Sequence, residues 1–316
     1  MMNQPDDFGG QMTARPRLGA VEFVLRDASR PLLVLGPSLG TSVSALWEDA
    51  VPLIAGGGAG DRAGDRAVDR AGGRAVDRAG GMAEGFAADV DVVGWDLPGH
   101  GTSPSPTADE LEGLTVGDLA DAVLGVVERV QERRGDVGAP FWYAGVSVGG
   151  AVGQRLLLDA PDRVSGAALI CTATWFGEAA GWHERADLVR RAGTPTQVEA
   201  AARRWFGPGF LDREPQVGLR LLASLQTADR FGYAAVCRAV SDHDLRGRLG
   251  AVAAPVVAIA GSDDPATPPD KLEEIADAVP GARLVVLDGA AHLAPAERPQ
   301  VVAQLVRDLV AGRVTA

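Results

Sequence analysis

Ten residues near the middle of the chain, Phe141-Trp142-Tyr143-Ala144-Gly145-Val146-Ser147-Val148-Gly149-Gly150, leave little freedom in how it folds. Apolar residues lead into Gly-x-Ser-x-Gly, and Ala151, Val152, Gln154, Leu156, Leu157 and Leu158 follow at helix-like spacing. The pattern is a strand, a tight turn and a helix, with Ser147 at the apex. A serine so placed is lifted out of a sheet and exposed as a candidate nucleophile. Gly145 and Gly149 allow the sharp turn without a Cβ clash. The helix N-terminus beneath the serine offers free N–H groups and the positive end of a dipole, and both favour negative charge. A chain with 41 glycines can contain this pentapeptide by chance. The strand before it and the helix after it are what give the motif chemical content.

Around this centre the chain alternates. Residues 21–25 read as a strand, and Pro31-Leu32-Leu33-Val34-Leu35-Gly36 is the continuous apolar run of a strand covered on both faces. A turn-rich loop, Pro37-Ser38-Leu39-Gly40-Thr41-Ser42, precedes a helical pattern over residues 45–54. Further strands are expected at 90–96, 166–171, 255–260 and 283–287, with helices from Thr115 and over 268–278 and 298–310. This alternation predicts an α/β fold with a mostly parallel twisted sheet flanked by helices. Residues 173–249 contain no such strand. They carry Trp175, Trp182, Val189, Val198, Trp205, Leu219, Leu222 and Leu225 at helical spacing, and are expected to form a helical cap over the strand ends. The predicted domains are a core of residues 1–172 and 251–316 and a cap of 173–250. Residues 55–81, rich in Asp-Arg-Ala units, have no apolar period. They are expected to form a surface insertion, mobile or weakly helical, with no assigned role.

A serine hydroxyl needs a base, and the base needs an acid that fixes its tautomer. The order Ser…Asp…His belongs to this kind of turn. Of four histidines, only His292, in Gly289-Ala290-Ala291-His292-Leu293, follows the last core strand. His183 and His243 fall in the cap, and His100, in Leu97-Pro98-Gly99-His100-Gly101, reads as a loop anchor. The preceding strand ends in Gly261-Ser262-Asp263-Asp264-Pro265-Ala266-Thr267-Pro268. Asp264 is the expected acid and Asp263 the alternative; one of the two could instead cap the next helix. An oxyanion would take N–H groups from Val148 and from the Ser38-Leu39-Gly40 loop, with Leu39 the expected donor.

The net charge of −12 argues against nucleic acid or an anionic membrane as partner. Cys171 and Cys237 are too few for a disulfide framework and read as core residues. The acidic, non-apolar start does not resemble a secretion signal, and no apolar run reaches membrane-spanning length. A cytoplasmic protein is expected. The sequence carries no signal for an oligomeric state.

These residues resemble the α/β-hydrolase superfamily over nearly the whole chain, and within it the 3-oxoadipate enol-lactonases of the β-ketoadipate pathway. The similarity lies in Ser38-Leu39-Gly40-Thr41, in the Ser147 turn and helix, in Arg204-Trp205-Phe206-Gly207-Pro208-Gly209-Phe210, and in the long loop 260–269. Pro37 and Pro98 depart from it, as do Ala294-Pro295 after the histidine. The resemblance implies ring opening of an enol-lactone in aromatic-compound catabolism, with Ser147, Asp264 and His292 as catalytic residues and no cofactor or metal. It also implies a small-molecule lactone or ester partner whose carboxylate meets an arginine or an indole N–H. Trp182 and Arg185, three apart on one helix, could face the site together, or could serve as cap core and solvent-facing charge. A carboxylesterase or a carbon–carbon bond hydrolase would keep the same three residues, and a non-catalytic receptor is the alternative of another class.

Overall fold

The structure is a computed structural model that describes residues 15–56, 67–69, 74–75 and 90–314. Its strands are β1 (Ala20–Val24), β2 (Leu32–Gly36), β3 (Ala67–Asp69), β4 (Arg74–Ala75), β5 (Asp91–Trp95), β6 (Phe141–Val146), β7 (Val164–Ile170), β8 (Val256–Gly261) and β9 (Arg283–Leu287). They form one sheet in the order β1-β5-β2-β6-β7-β8-β9-β3-β4. The run from β5 to β9 is parallel throughout, and β1 joins it antiparallel. β2, β5 and β8 are buried at every residue, as continuous apolar strands covered on both faces should be.

The helices are α1 (Val43–Trp47), α2 (Val51–Ile54), α3 (Ala108–Leu111), α4 (Val116–Arg134), α5 (Val148–Asp159), α6 (Ala179–Ala192), α7 (Val198–Trp205), α8 (Phe210–Arg213), α9 (Pro215–Thr227), α10 (Arg230–Ser241), α11 (Pro269–Ala278), α12 (Ala294–Glu297) and α13 (Pro299–Val310). α4 shows why such segments form. Thr115 and Asp118 exchange side-chain-to-backbone bonds in a capping box, Leu119, Val123, Val126 and Val130 make a buried stripe, and Gly135 at φ 83° ends the helix. Five helices, α6 to α10, lie between β7 and β8 in the chain, where no sheet strand occurs. This layer is tied to the core by Ser42 N–H donating to Ser224 Oγ at 2.7 Å and by Arg220, which reaches Glu48 at 3.0 Å and Asp49 at 2.6 Å.

Two expectations need correction. The helix over 45–54 is two short helices, α1 and α2, with Pro52 near the start of the second. Proline has no N–H to continue a helix from the previous turn, so a new one begins there. The insertion expected at 55–81 falls mostly outside the described residues, but residues 67–69 and 74–75 within it are strands rather than weak helix. β3 pairs antiparallel with β9, with Val68 opposite Val286, and β4 pairs with β3. Backbone groups alone make such a ladder, so an edge like that of β9 can recruit a segment with no apolar period.

The turn after β6 is packed backbone against backbone. Gly149 N–H donates to Pro37 O at 3.0 Å, and the Tyr143 hydroxyl donates to Gly149 O at 2.8 Å. A Cβ on Gly149 would lie 2.5 Å from Pro37 O. Alanine in place of a helical glycine ordinarily adds about 0.5–1 kcal/mol. Gly149→Ala is instead expected to lose about 1–3 kcal/mol through overpacking. Urea unfolding reads the sign, and a gain in stability would show that the contact with the 37–41 loop is loose.

Candidate active site

In a parallel sheet, strands that run the same way end on the same edge. β6, β8 and β9 therefore deliver their following loops, with Ser147, Asp264 and His292, to one side of the sheet. Ser147 sits between β6 and α5 with φ 57° and ψ −116°, a conformation unusual for a residue with a side chain. Its N–H donates to Ile170 O at 2.9 Å, and its carbonyl accepts from Thr172 Oγ1 at 2.7 Å. The residue is thus held from the neighbouring strand on both sides of its own peptide unit.

The loops after β8 and β9 are joined to each other. Ser262 N–H donates to Leu287 O, Asp263 N–H to Ala290 O, and Gly289 N–H to Ser262 Oγ. Asp264 is 2% exposed and His292 4%. His292 Nδ1 lies 2.8 Å from Asp264 Oδ2, and Thr267 Oγ1 donates to the same oxygen at 2.7 Å. Asp264 Oδ1 accepts the N–H groups of Ala266 and Thr267 at 2.8 and 3.1 Å. With the aspartate acting as acceptor, Nδ1 carries the hydrogen and Nε2 is left with its lone pair. Asp263 is exposed and touches only Ser262 with its side chain. Burial pushes the Asp264 carboxyl up, but the His292 imidazole and the Thr267 donors outweigh it and hold the group below the ordinary carboxylate range.

Ser147 and His292 line a cavity of about 350 Å³. Ser38, Leu39 and Thr267 also line it from the core, with Phe176 and Glu178 from the segment before α6 and Trp182, Arg185, Arg204, Trp205 and Tyr233 from the helical layer. Val148 opens α5, so its N–H belongs to the first turn, where donors have no intrahelical partner. Leu39 precedes Gly40, whose φ is 89° and where a Cβ would meet Leu225 and Trp205. The loop bearing Leu39 is therefore pinned under the helical layer.

Arg185 and Arg204 are the cations of this cavity, and among the described residues neither has a carboxylate within ion-pair distance. Arg185 lies over the Trp182 ring, 4.6 Å from its centroid. Burial first, and then the neighbouring Arg185 charge, pull the Arg204 guanidinium below its ordinary value. Two guanidiniums that repel one another in a cleft favour an anion between them. The Trp182 indole N–H is already committed to Phe176 O at 3.0 Å, so Trp182 offers a ring face and not the donor expected of it. The sequence offers Arg204 only with Arg190 and Arg203 as a fallback to Arg185, although it carries a signal that separates them. Arg203 pairs with Glu199 one turn back and faces solvent, whereas Arg204 lies three residues after buried Ala201.

His100 and His243 are buried in the scaffold, and His183 is exposed. His100 is buried, bonds Pro98 O through Nδ1 at 2.9 Å and stacks on Tyr233. Burial pulls its basicity down, and that of His243 to about 4. Asp96 accepts from Val43 N, Thr102 N and Thr102 Oγ1, which fixes the His100 loop. Among the described residues no group of three or more His, Cys, Asp or Glu side chains could hold a metal ion, and no helix is long and apolar enough to cross a membrane.

The sequence matches the α/β-hydrolase fold family over residues 57–299. The chain belongs to that family. This α/β hydrolase is 28% identical over 273 residues to 3-oxoadipate enol-lactonase 2 of Acinetobacter baylyi, covering 86% of each chain. Its structure is similar to the enol-lactonase from Burkholderia xenovorans LB400, with TM-score 0.76, 27% identity and coverage of 93% of this chain and 96% of that one. It is also similar to a hydrolase from Pseudomonas aeruginosa PA01, with TM-score 0.74, 30% identity and coverage of 93% and 94%.

The depressed Asp264 carboxyl makes a prediction for stability. Its contribution is complete above the unfolded value of about 4 and is lost as pH falls through the lower native value. Asp264→Asn cannot titrate, so its urea midpoint should fall less steeply than that of the wild type below about pH 4. Equal slopes would show that the His292–Asp264 bond is not held in solution.

Proposed function

We propose that this α/β hydrolase is a serine-dependent carboxylic ester hydrolase that opens 3-oxoadipate enol-lactone to 3-oxoadipate in aromatic-compound catabolism. The observation that carries the reading is one cavity lined by Ser147, by His292 with Asp264 bonded behind it, and by Arg185 and Arg204, two guanidiniums with no carboxylate within ion-pair distance among the described residues. Similarity to two enol-lactonases supports the same substrate. In this reading residues 173–250 act as a cap domain on a core of 1–172 and 251–316.

The reaction divides among these residues. Ser147 Oγ attacks the lactone carbonyl while His292 Nε2 takes its proton, and Asp264 stabilises the imidazolium that forms. The N–H groups of Val148 and Leu39 receive the oxyanion, a contribution of about 3 kcal/mol per donor. The ring C–O bond then breaks, His292 returns the proton to the leaving enolate oxygen, and the enol ketonises. Water deprotonated by His292 attacks the acyl-serine and releases the product dicarboxylate. Arg185 and Arg204 hold the substrate's own carboxylate throughout, which fixes which end of the molecule faces Ser147.

Steady-state kinetics on the lactone test this. Ser147→Ala should lose on the order of 10⁴–10⁶ in kcat with the fold intact, and Asp264→Asn about 10⁴. Arg185→Met and Arg204→Met should each raise KM for the lactone by a contact of about 1.5–3 kcal/mol, and leave turnover of a neutral ester of similar size little changed. Equal losses on both substrates would make the arginines supports of the cap rather than carboxylate ligands. A Ser147→Ala variant that kept a tenth of the wild-type rate would overturn the mechanism.

A further inference from the structure

Apart from the three residues just described, one buried carboxylate stands at the joint between core and cap. Glu297 is 6% exposed and ends α12, the short helix that begins two residues after His292. Its two oxygens are divided between the two parts of the protein. Oε1 accepts the N–H of Ala291, the residue before His292, at 2.8 Å. Oε2 accepts the N–H of Gly207, in the cap, at 2.7 Å. Gly207 follows cavity-lining Arg204 and Trp205 by three and two residues. The segments touch closely here: a Cβ on Gly207 would lie 2.6 Å from Gly289 O, and Leu293 N–H donates to Trp205 O at 3.2 Å. One side chain therefore links the segment that carries the histidine to the segment that carries the cap arginine.

Only an ionised carboxylate serves both amides well. A carboxylic acid has one good acceptor oxygen, and its other oxygen carries a donor. A carboxamide turns an NH₂ group against one of the N–H groups. We propose that Glu297 is a positioning residue that clasps the histidine loop to the cap, keeping His292 and the Arg204 wall in register with Ser147, and that protonation of Glu297 releases the clasp. The proposal rests on the reading of His292 as the catalytic base.

The surroundings set where this release occurs. Burial pushes the Glu297 carboxyl up, the Gly207 and Ala291 donors and then adjacent Arg298 pull it down, and Asp264 on the β8 loop pushes it up again, leaving it at about 7. From the end of β7, Cys171 faces the same region with its thiol held neutral, because burial and then Asp264 raise it well above its ordinary value. His292 on the clasped loop is the remaining titratable neighbour. The clasp thus ionises in the neutral range, well above an ordinary glutamate.

The test uses the full-length protein with a neutral p-nitrophenyl ester, and amide hydrogen exchange as a readout that needs no turnover. For the wild type, log(kcat/KM) is expected to fall below about pH 7 with a dependence on one more proton than in Glu297→Gln, since the clasp must be ionised. In Glu297→Gln that extra proton should be absent and kcat should fall roughly 10- to 100-fold. Protection of amides in segments 203–210 and 288–294, corrected for intrinsic pH dependence, should decline in the wild type between about pH 8 and 6 and be low and pH-independent in the variant. Wild-type protection that does not change between about pH 8 and 6 overturns the proposal, as does a variant that matches the wild type in both pH profile and protection. If the variant fails to fold, the wild-type protection decides by itself. A wild type that turns over no ester or lactone counts against the hydrolase reading, and the exchange data then judge the clasp alone.

Discussion

The site depends on a serine whose backbone is held at φ 57°. That conformation costs an L-residue about 1–3 kcal/mol, and it persists only where the surroundings over-determine it. Here they do so from three directions. β7 and the residues just after it supply Ile170 O and Thr172 Oγ1, the loop after β2 supplies Pro37 O to the N–H of Gly149, and Tyr143 reaches from β6 to Gly149 O. The bend that strains the serine also aims the first turn of α5 at the cavity floor beside Leu39. The strain at Ser147 and the direction of the first turn of α5 are thus consequences of one turn.

The electrostatics are local. A chain of net charge −12 repels anions at a distance, but screening at physiological salt limits that field to roughly 8 Å. At the cavity the balance reverses, because Arg185 and Arg204 line it beside one carboxylate, exposed Glu178, and among the described residues neither has a carboxylate within ion-pair distance. Of the buried acids, Asp264 is engaged by His292, Thr267 and two loop amides, and Glu297 by the amides of Ala291 and Gly207. The two are nevertheless held on opposite sides of the ordinary carboxylate value. The imidazole and the Thr267 donors beside Asp264 lower it, whereas at Glu297 burial outweighs the two amide donors and Arg298 and raises it. A carboxylate that stays charged beside one that titrates near neutrality lets one loop hold its histidine steadily while its attachment to the cap responds to pH.

Much of the fold was legible because its signals are local. Leu32–Gly36, Asp91–Trp95 and Val256–Gly261 are apolar runs, and such runs in alternation with helices admit few arrangements other than a parallel sheet. The positions of Ser147, Asp264 and His292 after three strands could be read in the same way. What escaped depends on groups that leave no pattern. β3 and β4 pair through backbone alone, so Asp-Arg-Ala repetition gives no hint of a strand. The break between α1 and α2 turns on one residue, Pro52, inside an otherwise helical run. Arg204 is one of 30 basic residues, and only its place on α7 separates it from solvent-facing Arg203. Glu297 bonds only amides, one of them 90 residues away, and no side-chain motif records that.

The central claim is that the two guanidiniums select a substrate by its carboxylate. The direct measurement compares kcat/KM of the wild-type protein for 3-oxoadipate enol-lactone and for the methyl ester of its free carboxylate, at one pH and ionic strength. Both compounds present the same lactone carbonyl to Ser147, and they differ in the charge available to Arg185 and Arg204. A charge-assisted contact of about 1.5–3 kcal/mol predicts that the free acid is preferred roughly 10- to 150-fold. Equal values, or a preference for the methyl ester, would contradict the account.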